Sequence, residues 1–192
     1  MAILDKKSVH GKVFEFISRT VSTDPTRYFM NYIYFDHEER ALVSTDGRRE
    51  AILTLGDGAV DFLGDIGFPS DKSYSIAYAR GAVEIIPEEK AGQFPNWKRV
   101  TPDESSLNRV KTLGQKDYDA DFSTKISMKM HVGKTCVLTG AIIDYTFLTD
   151  LFGFSYSVKV DKVSPEKKAV VFETTFDYGF PLKVLIMPMQ LD

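Results

Sequence analysis

"RYFMNYIYFDHEERALVSTDGRREAIL", residues 27–53, decides how this chain is read. Tyr28, Met30, Tyr32 and Tyr34 alternate with Phe29, Asn31, Ile33 and Phe35, the two-residue period of a strand. "HEER" (37–40) reads as a turn, and 41–46 and 47–55 as two further strands. Asp46-Gly47 is a hairpin signal, because both central positions of a two-residue turn take positive φ. Upstream, "SVHGKVFEFISRTV" (8–21) sets Val9, Val13, Phe16, Ile17 and Thr20 at helical spacing, with Lys12, Glu15 and Arg19 on the other side. Ser8 fits the N-cap and Asp24-Pro25 the stop. Gly11 weakens that helix by up to about 1 kcal/mol relative to alanine. Residues 8–55 thus read as a helix followed by a three-stranded meander.

Working outward, "GDGAVDFLGDIGFPSD" (56–71) is glycine-rich, with room for one short helical turn. "KSYSIAYARGAVEIIPEE" (72–89) reads as a hairpin turning at Arg80-Gly81. "QFPNWKRVTPDESS" (93–106) carries two prolines and reads as a connector. Within it Thr101 and Glu104 fit a capping box, which predicts a short helix through Leu113. "DADFSTKISMKMHV" (119–132) alternates like a strand through Phe122, Ile126, Met128 and Met130. "GAIIDYTFLTDLFGF" (140–154) reads as a helix with Ile143, Phe147, Leu148 and Leu151 on one face and Gly153 as its stop. Three strands follow at 156–163, 168–176 and 181–187. A helix followed by strands, twice over, is a weak internal repeat carried by element order.

The chain ends on "KVLIMPMQLD" (183–192). Val184 to Met187 suit a strand, but Pro188 has no N–H for the next rung. The tail is expected to lift off there, leaving Met187, Met189 and Leu191 near the surface.

Composition narrows the function. With 24 Lys and Arg against 27 Asp and Glu, the formal charge of −3 argues against a uniformly basic nucleic-acid binder. It leaves room for basic residues gathered on one face. The single cysteine, Cys136, allows no intramolecular disulfide and fits a reducing cytoplasm. No apolar run approaches the roughly 20 residues that cross a bilayer, and "MAILDKKS" lacks the order of a signal peptide. A cytoplasmic protein without membrane partners is expected. "HVGKTCV" (131–137) ends like a phosphate loop, but Met128 stands where that loop needs its first glycine. His10, His37 and His131 are scattered away from metal-ligand spacing, and Cys136 sits among apolar residues. Neither catalytic residues nor a metal or other cofactor are expected.

Three stretches together resemble one family, the bacterial DNA sliding clamps (the DNA polymerase III beta subunit). Residues 27–53 resemble the clamp's arginine-tyrosine strand and Thr-Asp-Gly-basic-Arg turn. "FPNWKRVTP" (94–102) resembles its Phe-Pro-Asp-Tyr-Arg-Arg-Val-x-Pro connector, and "VLIMPMQL" (184–191) its C-terminal Val-Val-Met-Pro-Met-Arg-Leu. "IIDYTFLTDLF" (142–152) stands at the place of the last helix. The resemblance implies an α+β, DNA-clamp-like fold of repeated helix-plus-antiparallel-strand units, rich in strands with few helices. It further implies non-specific association with duplex DNA and docking of polymerase or repair proteins through a short peptide of Gln-Leu-x-Leu-Phe type. The peptide pocket, carried over residue by residue, comprises Met30, Thr45, Gly47, Arg48 and Arg49, Pro95 and Val100, and Leu185, Met187, Pro188 and Met189. Lys6, Lys7, Lys12 and Arg19 would face DNA, whereas the second helix carries Asp144 and Asp150 and no basic residue.

Two departures stand out. Glu50 replaces an apolar residue after the turn arginine, which would make that wall charged or move it outward, and Arg48 replaces a histidine. The family's first domain has no counterpart. Residues 1–102 would correspond to the middle clamp domain and 103–192 to the last, as two trimmed domains or two halves of one merged domain. A homo-oligomer, trimer or dimer, would be needed to close a ring. The alternative is a clamp-fold interaction module that binds a peptide without encircling DNA.

Overall fold

A computed structural model of the chain describes residues 1–113, 135–138, 141–151 and 154–189. The strand expected at 119–132, His131, Gly153 and Leu191 lie outside those residues. The chain divides into two compact units, one of Met1–Trp97 with Thr175–Leu182, the other of Lys98–Thr174 with Lys183–Asp192.

The first unit holds a fully antiparallel sheet of β1 (Ala2–Ile3), β2 (Ile33–Asp36), β3 (Ala41–Thr45), β4 (Arg49–Thr54), β5 (Tyr74–Ala79) and β6 (Ala82–Ile86). Their order across the sheet is β1-β6-β5-β2-β3-β4. Helix α1 (Val9–Ser18) packs on β3, β4 and β5, burying Val13, Phe14, Phe16 and Ile17 against a core that includes Ile33, Phe35, Leu42, Leu53 and Ile76. The Ser8 hydroxyl accepts from Gly11 N at 3.0 Å, which caps α1 as the sequence predicts. Ser44 on β3 donates to the Ile17 carbonyl at 2.7 Å and bonds the Thr20 hydroxyl, so the buried hydroxyls at the end of α1 are satisfied. The glycine-rich stretch does form one short helix, α2 (Ala59–Gly64). At the β5–β6 hairpin, Arg80 and Gly81 both take positive φ, 53° and 86°, the two-residue turn expected there.

One reading of the founding stretch needs correction. Residues 27–32 do not extend β2. Asp24 caps a 3-10 turn over Pro25–Met30, its carboxylate accepting from Thr26 N at 2.8 Å, and strand pairing begins only at Ile33. Proline at the first turn position and the cap outweigh the alternating aromatics. Helix α3 (Glu88–Ala91) contacts β5, and the connector after it lies against β2. There Phe94 stacks on Tyr34 at 4.8 Å, and the Trp97 indole donates to Asp36 Oδ2 at 3.1 Å.

In the second unit β7 (Leu107–Leu113), β10 (Tyr156–Asp161) and β11 (Val170–Thr175) pair antiparallel, with the Lys183–Ile186 part of β12 (Pro181–Ile186) beside β11. A hairpin of β8 (Thr135–Leu138) and β9 (Ala141–Asp144) stands apart from that sheet, with Cys136 opposite Ile143. Two helix readings are overturned here. The capping signal before Leu113 yields only a 3-10 turn over Glu104–Ser106, capped by Asp103, before β7 begins. The expected helix from residue 140 starts as β9, and only Tyr145–Thr149 (α4) is helical. Ile142 and Ile143 are β-branched and paired to β8, and Asp144 caps α4 by accepting from Thr146 N at 2.9 Å.

Four charges knit the second unit's sheet to that 3-10 turn. Glu104 meets Lys159 at 2.8 Å and Lys183 at 2.5 Å, and Glu173 meets the same lysines at 2.7 and 3.4 Å. Hydrogen bonds from Lys159 and Lys183 hold the Glu104 carboxyl down at about 2. Its contribution to stability is present above its ordinary value of 4.5 and is lost as pH falls toward 2. Half of the Glu104 side chain is in solvent, so screening keeps this small. Chemical denaturation of Glu104→Gln at pH 7 is expected to show a loss of no more than about 1 kcal/mol, shrinking to nothing as the solution is acidified through pH 4 toward 2.

Candidate functional site

The tip of the β3–β4 hairpin is held from within. Thr45 pairs with Glu50, and Asp46 N donates to the Arg49 carbonyl at 3.3 Å, so residues 46–49 close the hairpin as a tight turn. Of the two expected positive-φ positions only Gly47 adopts one, at 85°. Asp46 organises the loop instead, its Oδ1 accepting from Arg48 N at 2.9 Å and Arg49 N at 3.0 Å. The Thr45 hydroxyl donates to the Arg49 carbonyl at 2.8 Å and accepts from Gly47 N at 3.0 Å. Arg49 is folded back: its Nε meets Asp46 Oδ2 at 2.9 Å and its Nη2 the Arg19 carbonyl at 2.7 Å. It is a strut of the loop, whereas Arg48 is exposed.

The 3-10 turn lies over this tip. A Cβ placed on Gly47 would come within 2.8 Å of Arg27 Nη1 and 3.8 Å of Met30 Sδ. Met30, Thr45, Gly47, Arg48 and Arg49 are therefore brought together within the first unit. Arg27, whose Nη1 donates to the Asp46 carbonyl at 3.3 Å, joins them without having been singled out in the sequence. Its signal was available: it is the arginine that opens the founding stretch. Pro95, also of this unit, lies in the connector, half-buried beside Phe94.

In the second unit β12 ends at Ile186, and the tail leaves it as the proline predicts. Met187 is 38% and Met189 40% exposed. Met189 N donates to the Ile142 carbonyl at 2.6 Å, so the tail is clipped to β9 after Pro188. Val100 is exposed, while Leu185 is only 2% exposed and belongs to the core of the strand.

Glu50 is neither a charged wall nor turned outward. It is 4% exposed, and its Oε1 is enclosed without a hydrogen bond. Burial alone lifts its carboxyl from 4.5 to about 8, so it is neutral at pH 7.

Lys6, Lys7, Lys12 and Arg19 are all exposed, with Glu15 also exposed on α1. The Arg19 guanidinium lies 5.5 Å over the Phe16 ring. His10 Nε2 contacts the Phe62 carbonyl at 2.8 Å, and His37 contacts Ser73. Among the described residues no three His, Cys, Asp or Glu gather as a metal site, and no helix is long and apolar enough to cross a membrane. A cavity of about 550 Å³ on the first unit, lined by Tyr34, Ser75, Ile86 and Phe94 among others, contains none of the residues carried over for peptide docking.

The fold has solved counterparts. The chain has the fold of bacterial DNA polymerase III beta sliding clamps. Against the DNA polymerase sliding clamp from Bacillus subtilis the TM-score is 0.55 at 13% identity, covering 100% of this chain and 65% of that one. Against the DNA polymerase III beta chain from Streptococcus pneumoniae it is 0.55 at 13% identity, covering 98% and 64%. Against the Helicobacter pylori beta clamp bound to a DNA ligase peptide it is 0.52 at 13% identity, covering 100% and 65%. The chain thus spans about 65% of the length of the first of these clamps. No family model matches the chain. No curated protein matches it in sequence.

Proposed function

We propose that this chain is a shortened sliding-clamp protein, non-enzymatic, that docks short linear peptides of polymerase or repair partners and associates with duplex DNA without reading its sequence. The two units would stand for the middle and last clamp domains. The observation that carries the reading is the braced Gly47 hairpin tip with Met30 beside it, in a chain that also presents an exposed Met-Pro-Met tail on the same fold as a clamp that holds a ligase peptide. Methionine side chains are unbranched and polarizable, which suits a groove that takes apolar anchors. Each buried anchor is worth about 1.5–3 kcal/mol, so two or three supply a large part of the roughly 8 kcal/mol of micromolar affinity, with main-chain hydrogen bonds to the peptide offsetting ordering costs.

The test is fluorescence anisotropy with a labelled Gln-Leu-x-Leu-Phe peptide. Saturable micromolar binding is expected, and Met187→Ala is expected to weaken it about tenfold, one anchor contact in part. Absence of saturable binding would defeat the reading. For DNA, retention on circular but not linear duplex, with a mass of two or three chains, is the expected signature of a ring. A second reading, a module that binds peptide without encircling DNA, draws support from α4: it has five residues and is flanked by Asp144 and Asp150. Peptide binding by a monomer without DNA retention would select it.

A further inference from the structure

Glu50 occupies a position where the resembled family carries an apolar residue, one register step from the hairpin tip and paired across to Thr45. Its carboxyl is almost wholly enclosed, and Oε1 has no partner. The acids and bases of its own hairpin do not supply one, since Asp46 and Arg49 are engaged with each other and Arg48 is exposed. Enclosing a polar group unbonded costs stability, which an apolar residue of similar size would avoid. A ligand that supplies the missing hydrogen bonds recovers that loss, and one that buries Glu50 under hydrocarbon adds to it.

We propose that Glu50 determines specificity in the peptide site, selecting a ligand side chain that ends in a primary carboxamide over an aliphatic one; this rests on the peptide-docking reading above. A neutral carboxylic acid offers one donor and one acceptor on the same carbon. A carboxamide offers the complementary pair, so two hydrogen bonds close without burying a charge. A lysine or arginine would instead form an enclosed ion pair, whose desolvation offsets most of its attraction. Because burial keeps the acid protonated at neutral pH, the carboxamide pairing is available there. Glutamate has several rotatable torsions, so a change of rotamer is the route by which Oε1 would meet a ligand.

The experiment uses the full chain and labelled Gln-Leu-x-Leu-Phe peptides in which each leucine in turn is replaced by asparagine, its near-isostere. Affinities at pH 7 are compared for the parent, Glu50→Leu and Glu50→Gln. At one of the two positions, Glu50→Leu is expected to shift the asparagine-to-leucine affinity ratio toward leucine by about tenfold. Glu50→Gln, which keeps a donor and an acceptor, should hold the parent's ratio. Equal ratios in the parent and Glu50→Leu overturn the proposal while leaving peptide docking intact, and so does the same shift in both variants. If no peptide binds any of the three proteins, peptide docking itself fails and takes this inference with it.

Discussion

Between pH 5 and 9 the parent chain is expected to lose several kcal/mol of stability relative to Glu50→Gln. In the folded chain burial raises the Glu50 carboxyl from 4.5 to about 8. Between those two values the folded state holds a proton that the unfolded state has released, so stability falls as pH rises through the window and levels off above 8. Each tenfold gain in proton affinity on folding corresponds to about 1.4 kcal/mol, and the whole fall comes to roughly 3–5 kcal/mol. A glutamine fills the same space and does not titrate, so its curve should lack this fall. Denaturant unfolding at pH 5, 7 and 9 measures the difference, and hydrogen exchange at the β3 and β4 amides locates it. Parallel curves for the two proteins would show that Glu50 has solvent or a partner in the folded state.

Gly11→Ala is expected to destabilise the chain by about 2 kcal/mol, although helix propensity alone favours alanine by about 1 kcal/mol. A Cβ at Gly11 would lie 2.1 Å from the Asp5 carbonyl oxygen and 2.8 Å from the Lys6 Cα, both backbone atoms that no side-chain rotation can move aside. The same carbonyl accepts from Ser8 N at 3.0 Å and the Ser8 hydroxyl at 2.6 Å, so shifting it also disturbs the cap of α1. Overpacking of this kind costs about 1–3 kcal/mol or more, and loss of an N-cap about 1 kcal/mol further. The clash therefore outweighs the propensity gain. The midpoint of thermal unfolding should fall by several degrees, and an unchanged or raised midpoint would mean that the 5–8 turn yields freely.

Gly11 also shows where sequence reading stops. Its spacing places it inside a helix, where it counts as a weakness, but the approach of residues 5–6 to that position is a tertiary fact. Local chemistry was legible where a single signal acted unopposed. Ser8 as cap, Arg80-Gly81 as turn and Pro188 as the end of pairing all follow from backbone geometry that one or two residues impose. The errors arose where local signals competed. At 25–30 the Asp24-Pro25 start overrode the alternating aromatics, and at 141–144 strand pairing overrode a helical spacing that Ile143, Leu148 and Leu151 satisfy equally well. In the candidate site, Gly47 and Met30 could be named from the founding stretch. The state of Glu50 could not, since a carboxylate after a turn arginine reads as charged until its burial is known.

The first unit is discontinuous in the chain. Residues 175–182 return to it from near the C-terminus, with Phe176 set against Phe16 at 5.7 Å and Phe180 against Phe62 at 5.5 Å. No single truncation can release it whole: a fragment ending at Trp97 would lack two of its own aromatic plugs. Dissecting this protein calls for grafting the late octapeptide onto the early fragment or for circular permutation, and a failed expression of the bare fragment would speak only to the missing plugs.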